Sequence, residues 1–248
     1  MKRKPRTRRE RIGLFLYCSV ILSFVIPIIF LVVRMFIGHV PQNEAGYHSS
    51  ADYALMIVQC LLGLVVINLP QLLSKQFRFE LPVSLYVMYI VFLYCAIFLG
   101  EVRSFYYIIP FWDSILHAFS SLMLGFCGYM AVTILVRDDH VVMQLSPLFT
   151  AIFAFCFALS IGALWEIYEY VFDGLLGLNM QKFMTDSGEL LVGHAALADT
   201  MKDIIIDAAG ALTATVIGSI AMKHDKTWMY PKLLDEDRAG HEKAGKKV

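Results

Sequence analysis

Carboxylates recur at helical spacing inside stretches of this chain that are otherwise apolar. Asp113 and His117 stand four residues apart. Glu166, Glu169 and Asp173 follow as i, i+3, i+7, and Asp199, Asp203 and Asp207 as i, i+4, i+8. Residues so spaced share one face of a helix, the second set within an arc of about 60° and the third within about 80°. An ionised carboxylate at the bilayer centre costs about 2.5–3.5 kcal/mol on insertion scales. Two like charges ~6 Å apart repel by about 3 kcal/mol at an effective dielectric of ~20. Seven carboxylates facing His117, and almost no Lys or Arg, must bind cations, share protons, or both.

Oxygen-rich coordination with one or two imidazoles suits Mg²⁺, Mn²⁺, Ca²⁺ or iron better than a structural zinc site. The expected cofactor is therefore a divalent metal ion, Mn, Mg, Zn or Ca. The expected ligands are His117, Glu166, Glu169, Asp203 and Asp207. Glu166 and Asp207 are also the expected catalytic pair, a carboxylate spared by the metal serving as general base. Asp113, Asp173 and Asp199 form an outer set, and Asp113 is placed to orient the His117 ring. Asp199 precedes a helix start and reads equally as an N-cap. The competing structural reading is a hydrogen-bonded network that fixes helix packing, with the outer three as solvated helix ends. His194 is a second candidate imidazole, while His39 and His48 read as solvated loop residues. Trp165, Tyr168 and Tyr170 read as interface or packing aromatics. There is no Gly-rich phosphate loop, G-x-S-x-G elbow or H-E-x-x-H pair.

These faces need helices to hold them, and the composition says where the helices lie. The 248 residues are 58% hydrophobic and 17% charged, with a mean hydropathy of +0.63. A soluble domain carries about 25% charged residues. About 20 mostly apolar residues span the hydrocarbon. Six stretches qualify: 12–37, 53–73, 81–100, 112–135, 147–172 and 203–222. The fold expected is an all-α, polytopic six-helix membrane bundle over 12–222. The first stretch is too long for a cleaved signal peptide and is expected to remain as a helix, with Arg34 snorkelling to the interface. Seventeen of the twenty-one Lys and Arg fall in the tail 1–11, the loops 74–80 and 136–146, and the tail 223–248. By the positive-inside rule both termini are cytoplasmic and the loop 174–202 is extracytoplasmic. Tyr106, Tyr107 and Trp112 would mark the outer interface, and Trp228 and Tyr230 the inner one. The long loop 174–202 is read either as a lid or as an ordinary extracytoplasmic loop. The three acidic faces then share the outer half of the bilayer. The row Gly210, Ala214, Gly218 allows close helix approach. The five cysteines all lie in apolar stretches without a C-x-x-C pair and read as packing residues.

Three segments carry a resemblance: Asp113-Ser-Ile-Leu-His117; Trp165-Glu-Ile-Tyr-Glu-Tyr170 with Asp173; and Asp199-Thr-Met-Lys-Asp203 with Asp207 and Gly210. Together they resemble the bacterial multi-pass membrane family represented by YjdF, over roughly the second half of the chain. The resemblance implies a bacterial cytoplasmic-membrane protein whose characteristic positions are these acids, and no particular activity. Three functions fit the residues. A metal-dependent enzyme would hydrolyse a lipid-linked phosphate or ester at the outer leaflet. A cation- or proton-coupled transporter would use the acids as an ion pathway. A non-catalytic scaffold or immunity-type protein would use them for packing. Expected partners are membrane lipids and a lipid-linked or small-molecule substrate, not nucleic acid. The sequence sets no oligomeric state.

The topology has a direct check. A cysteine introduced as Ser187→Cys should react with a membrane-impermeant maleimide in intact cells, and one placed in the tail 234–248 only after permeabilisation. The reverse pattern would overturn the assignment.

Overall fold

The computed structural model describes residues 8–37, 50–135, 145–185, 187–223 and 232–233. The basic tail up to residue 7, His39, His48, Arg137, Trp228, Tyr230 and most of the C-terminal tail lie outside the described residues. Among those described the chain is all-α, apart from a two-residue antiparallel pair, β1 (Phe79–Glu80) with β2 (Lys232–Leu233), and one bridge between Met184 and Leu190. Six helical stretches are long and apolar enough to cross a membrane: Arg11–Phe36, Tyr53–Gln76, Val83–Val102, Trp112–Leu135, Pro147–Leu176 and Gly193–Met222. The chain divides into two compact units, residues 1–112 with 232–248, and residues 113–231.

The first unit holds α1 (Arg8–Ile37), α2 (Ser50–Val66), α3 (Leu69–Gln76), α4 (Val83–Leu93) and α5 (Phe105–Ile108). Its core is Phe24, Cys60, Ile67 and Ile90, all fully buried. The second expected span is two helices, not one. Pro70 at the start of α3 has no N–H to continue the ladder. Asn68 fills the break, its Nδ2 donating to the Leu64 carbonyl at 2.9 Å while Tyr17 Oη donates to its Oδ1 at 2.9 Å. The third span changes from α4 to a π-helix over Tyr94–Val102, whose wider turns are uncommon in such a run. Arg34 lies 5.5 Å from the Tyr53 ring centroid, a cation–π pair where the sequence suggested only snorkelling.

The second unit is α6 (Trp112–Leu135), α7 (Pro147–Leu176) and α8 (Ala198–Lys223), with a short 3₁₀ turn over Gly193–Leu197. Ser146 caps α7, accepting from Phe149 N at 3.2 Å, and a proline opens the first turn. Gly177 ends it in the left-handed conformation, φ +65°. The small row of α8 is its seam with α6. Gly210 lies against Ala118 and Ser121, Ala214 against Gly125, and Gly218 against the Tyr129 ring. Gly128 meets the backbone of Ala154 on α7 in the same way. Small residues here let backbones approach, so side chains on the facing turns can meet.

Two of the helix ends that differ from expectation bear on the acidic residues. α7 continues to Leu176 and α8 begins at Ala198, because the charged turns lie on helical faces that are otherwise apolar. Glu166 is therefore ten residues, about 15 Å, from the end of α7, and Asp207 nine residues, about 14 Å, from the start of α8. His117 is five residues, about 7.5 Å, into α6. The described cysteines are all free: Cys60 is buried in the core, while Cys18 and Cys156 are exposed on apolar helices.

Candidate functional site

His117 stands where the three helices of the second unit meet, and it is buried. Its two ring nitrogens face different carboxylates. Nδ1 is 3.3 Å from both oxygens of Asp207 on α8. Nε2 is 3.8 Å from Asp113 Oδ1, one turn earlier on α6, and 3.8 Å from Glu166 Oε1 on α7. Asp113, His117 and Asp203 each offer a ligand atom, and these three atoms lie within 4.8 Å of one another. A carboxylate on one imidazole nitrogen fixes the ring and leaves the other nitrogen free to act.

Asp207 is enclosed from three sides. Its carboxylate meets His117, its main-chain carbonyl accepts from Ser121 Oγ of α6, and the absent side chain of Gly162 on α7 leaves it room. Glu166 and Asp203 are each less than one-twentieth exposed. One oxygen of each, Glu166 Oε1 and Asp203 Oδ1, is buried with no hydrogen-bond donor. Among the described residues, Glu166 Oε1 faces His117 Nε2 at 3.8 Å, and Asp203 Oδ1 faces Lys202 Nζ at 3.7 Å. Oxygens of this kind are costly in a low dielectric unless a cation or proton reaches them.

The remaining acids have other partners. Glu169 is buried and accepts from Trp165 Nε1 at 2.8 Å, one turn back on α7. Asp173 commits both oxygens to backbone N–H groups, those of Met180 at 2.8 Å and Gln181 at 3.0 Å. Asp199 pairs with Lys202 Nζ at 2.7 Å and Lys182 Nζ at 3.2 Å. His194 is exposed.

The connection after α7 is the part the sequence reading missed. Residues 177–185 form a strap, and three consecutive members of it reach the acids. Met180 and Gln181 hold Asp173; Gln181 Nε2 also donates to the Glu166 main chain at 3.3 Å and to its Oε2 at 3.4 Å. Lys182 Nζ donates to Asp113 Oδ2 at 2.6 Å and bridges to Asp199. Burial alone would lower the Lys182 pKa, but Asp113 and Asp199 outweigh it and hold it above the ordinary lysine value. The ammonium thus stays charged. The expectation that almost no Lys or Arg faces the acids is corrected: Lys182 and Lys202 both do. A signal for this existed, since they are two of the few lysines on the side that the positive-inside rule disfavours.

A family model described as a predicted membrane protein (DUF2238) matches residues 20–224, which include all of these positions. The chain belongs to this family. It is a multi-pass membrane protein, as the three-segment resemblance implied. The chain is also similar to a Thermotoga maritima protein described as an uncharacterized protein, 32% identical over 120 residues. That stretch is 48% of this chain and 53% of the relative, so the match spans about half the length of each. No solved structure matches the chain.

Gly162 offers a check on this geometry. An added methyl would enter the space of the Asp207 carboxylate, so Gly162→Ala should destabilise the protein by about 1–3 kcal/mol, the usual cost of overpacking a core. Gly174, with open space around it, is the control: Gly174→Ala should be neutral or stabilise by up to about 1 kcal/mol. Thermal unfolding of the two variants in detergent compares them, and equal behaviour would refute the close approach of α7 to Asp207.

Proposed function

We propose that this membrane protein binds a divalent cation through Asp113, His117 Nε2 and Asp203, and uses it to hydrolyse a lipid-linked phosphate or ester. The observation that carries this reading is the pair of buried carboxylate oxygens without donors, Glu166 Oε1 and Asp203 Oδ1, beside an imidazole nitrogen. Ligand atoms around an ion with ~2.1 Å bonds stand about 3–4.2 Å apart. The 3.8 Å from His117 Nε2 to Asp113 Oδ1 suits that range, and all three ligand atoms lie within 4.8 Å of one another, so a small inward movement would close the set on an ion. In this proposal Asp113 and Asp207 exchange the roles the sequence suggested: Asp207 orients the ring and Asp113 is a ligand. Two carboxylates beside one imidazole suit Mn²⁺, with Mg²⁺ and Ca²⁺ served by the oxygens, better than a structural Zn²⁺ site.

Each residue then has a task. Asp207 accepts from His117 Nδ1–H, which keeps Nε2 deprotonated and aimed at the cation. A bound divalent ion supplies Lewis-acid stabilisation of negative charge developing on the substrate. Glu166 Oε1, the carboxylate oxygen left over, is positioned to take a proton from an attacking water. Glu169, one turn on, is a further buried carboxyl group on the same face of α7. The basic asymmetry of the chain supports placing this centre in the outer half of a bacterial cytoplasmic membrane.

Coupled transport is the second reading. The helices α6, α7 and α8 carry no Asp, Glu, His, Lys or Arg over 118–135, 147–165 and 208–222. No row of charged side chains therefore continues through this unit, which favours chemistry at one level over passage of an ion across the membrane.

The reading predicts ligand-linked stability. Mn²⁺ or Mg²⁺ at about 100 times its Kd should stabilise chelator-treated protein by about 2.7 kcal/mol. Asp203→Asn and His117→Gln should remove the shift, as measured by thermal unfolding. A flat response to Mn²⁺, Mg²⁺, Zn²⁺ and Ca²⁺, with stabilisation on acidification instead, would replace the cation with shared protons.

A further inference from the structure

Lys182 is held in a conformation that its own backbone disfavours. Its φ is +49°, in the left-handed region that residues other than Gly, Asn and Asp seldom occupy. The contacts on either side account for it. Met180 and Gln181 are tied by their N–H groups to Asp173 on α7, and Lys182 Nζ is tied to Asp113 on α6 and Asp199 on α8. Asp113 is thereby shared. Its Oδ2 takes the ammonium at 2.6 Å while its Oδ1 faces His117 Nε2 at 3.8 Å.

We infer that Lys182 is the centre's own counter-cation, neutralising Asp113 and Asp199 in the metal-free protein and displaced, together with the strap that carries it, when a divalent ion binds. This rests on the cation reading above. An ion on Oδ1 and an ammonium on Oδ2 are two positive charges separated by one carboxylate, so each weakens the other's hold. The coupling is reciprocal: whatever the strap costs the ion in affinity, the ion costs the strap in stability. Two features ease the exchange. The Lys182 side chain is 42% exposed, so it can leave the acids without crossing the protein interior. Asp199 keeps Lys202 at 2.7 Å and is not left bare when Lys182 departs. Asp113 passes from one cation to another. Gly177, in the left-handed conformation with open space around it, gives the strap a turning point next to α7.

The experiment uses the full chain, purified in detergent and stripped with chelator, with Mn²⁺ as the probe. Free Mn²⁺ measured by electron paramagnetic resonance gives the affinity of the wild type, Lys182→Gln and Lys182→Arg. Removing a unit charge this close should tighten Mn²⁺ binding about tenfold in Lys182→Gln, while Lys182→Arg, which keeps the charge, should match the wild type. Hydrogen–deuterium exchange of the segment 178–185 should speed up when Mn²⁺ binds to the wild type, since the Met180 and Gln181 amides lose their fixed acceptors. Binding in Lys182→Gln alone would also support the inference, as competition too strong for the ion to win. Equal or weaker binding in Lys182→Gln than in a wild type that does bind would overturn it and leave the metal reading intact. Strap exchange unchanged or slowed by Mn²⁺ would likewise overturn the displacement. No binding by any of the three proteins would remove both readings.

Discussion

Charge enclosed by apolar helices must be compensated within a few ångströms, because neither water nor lipid will do it from farther away. Seven carboxylates collect at one end of a three-helix unit here, and the arrangement around them follows from that requirement. His117 divides its two nitrogens between α7 and α8. Trp165 gives its indole N–H to Glu169, and the strap gives two amides to Asp173 and an ammonium to Asp113. Compensation is nearly complete at the rim and incomplete at the centre, where Glu166 and Asp203 each keep an oxygen without a donor.

The helix seams make the crowding possible. Gly125 and Ala214 bring α6 and α8 together, and Gly128 and Ala154 bring α6 to α7. Larger side chains on those turns would separate the helices and leave His117 out of reach of Asp207. The polar centre and the small-residue seams are therefore one feature, since in lipid close packing is among the few forces that hold helices together.

Much of this was legible in the sequence, for physical reasons. Charge is so costly inside apolar stretches that its spacing reports faces directly, and the three faces do meet at His117, Glu166 and Asp207. The helix ends were less legible. A charged turn such as Asp199 to Asp203 reads as lying outside the membrane, whereas the helix already includes it. The partner nitrogen of each acid was not legible at all, because ring orientation depends on packing; hence Asp207 rather than Asp113 sits on Nδ1. The strap was the least visible part. Lys182 and Asp113 are 69 residues apart, and nothing in the periodicity of either segment links them. The break at Asn68 was in principle readable from Pro70, but an apolar run long enough to span hides such a punctuation mark.

The way Asp173 holds the strap bears on how such a family can diversify. Its carboxylate grips main-chain amides rather than side chains, and every residue except proline carries that amide. At Met180 the strap can therefore change its side chain without losing its mooring. Only proline there would break the amide contact. The carboxylate at 173 has no such freedom. The anchor thus constrains the number of residues between 173 and 180 more tightly than the side chain carried at 180.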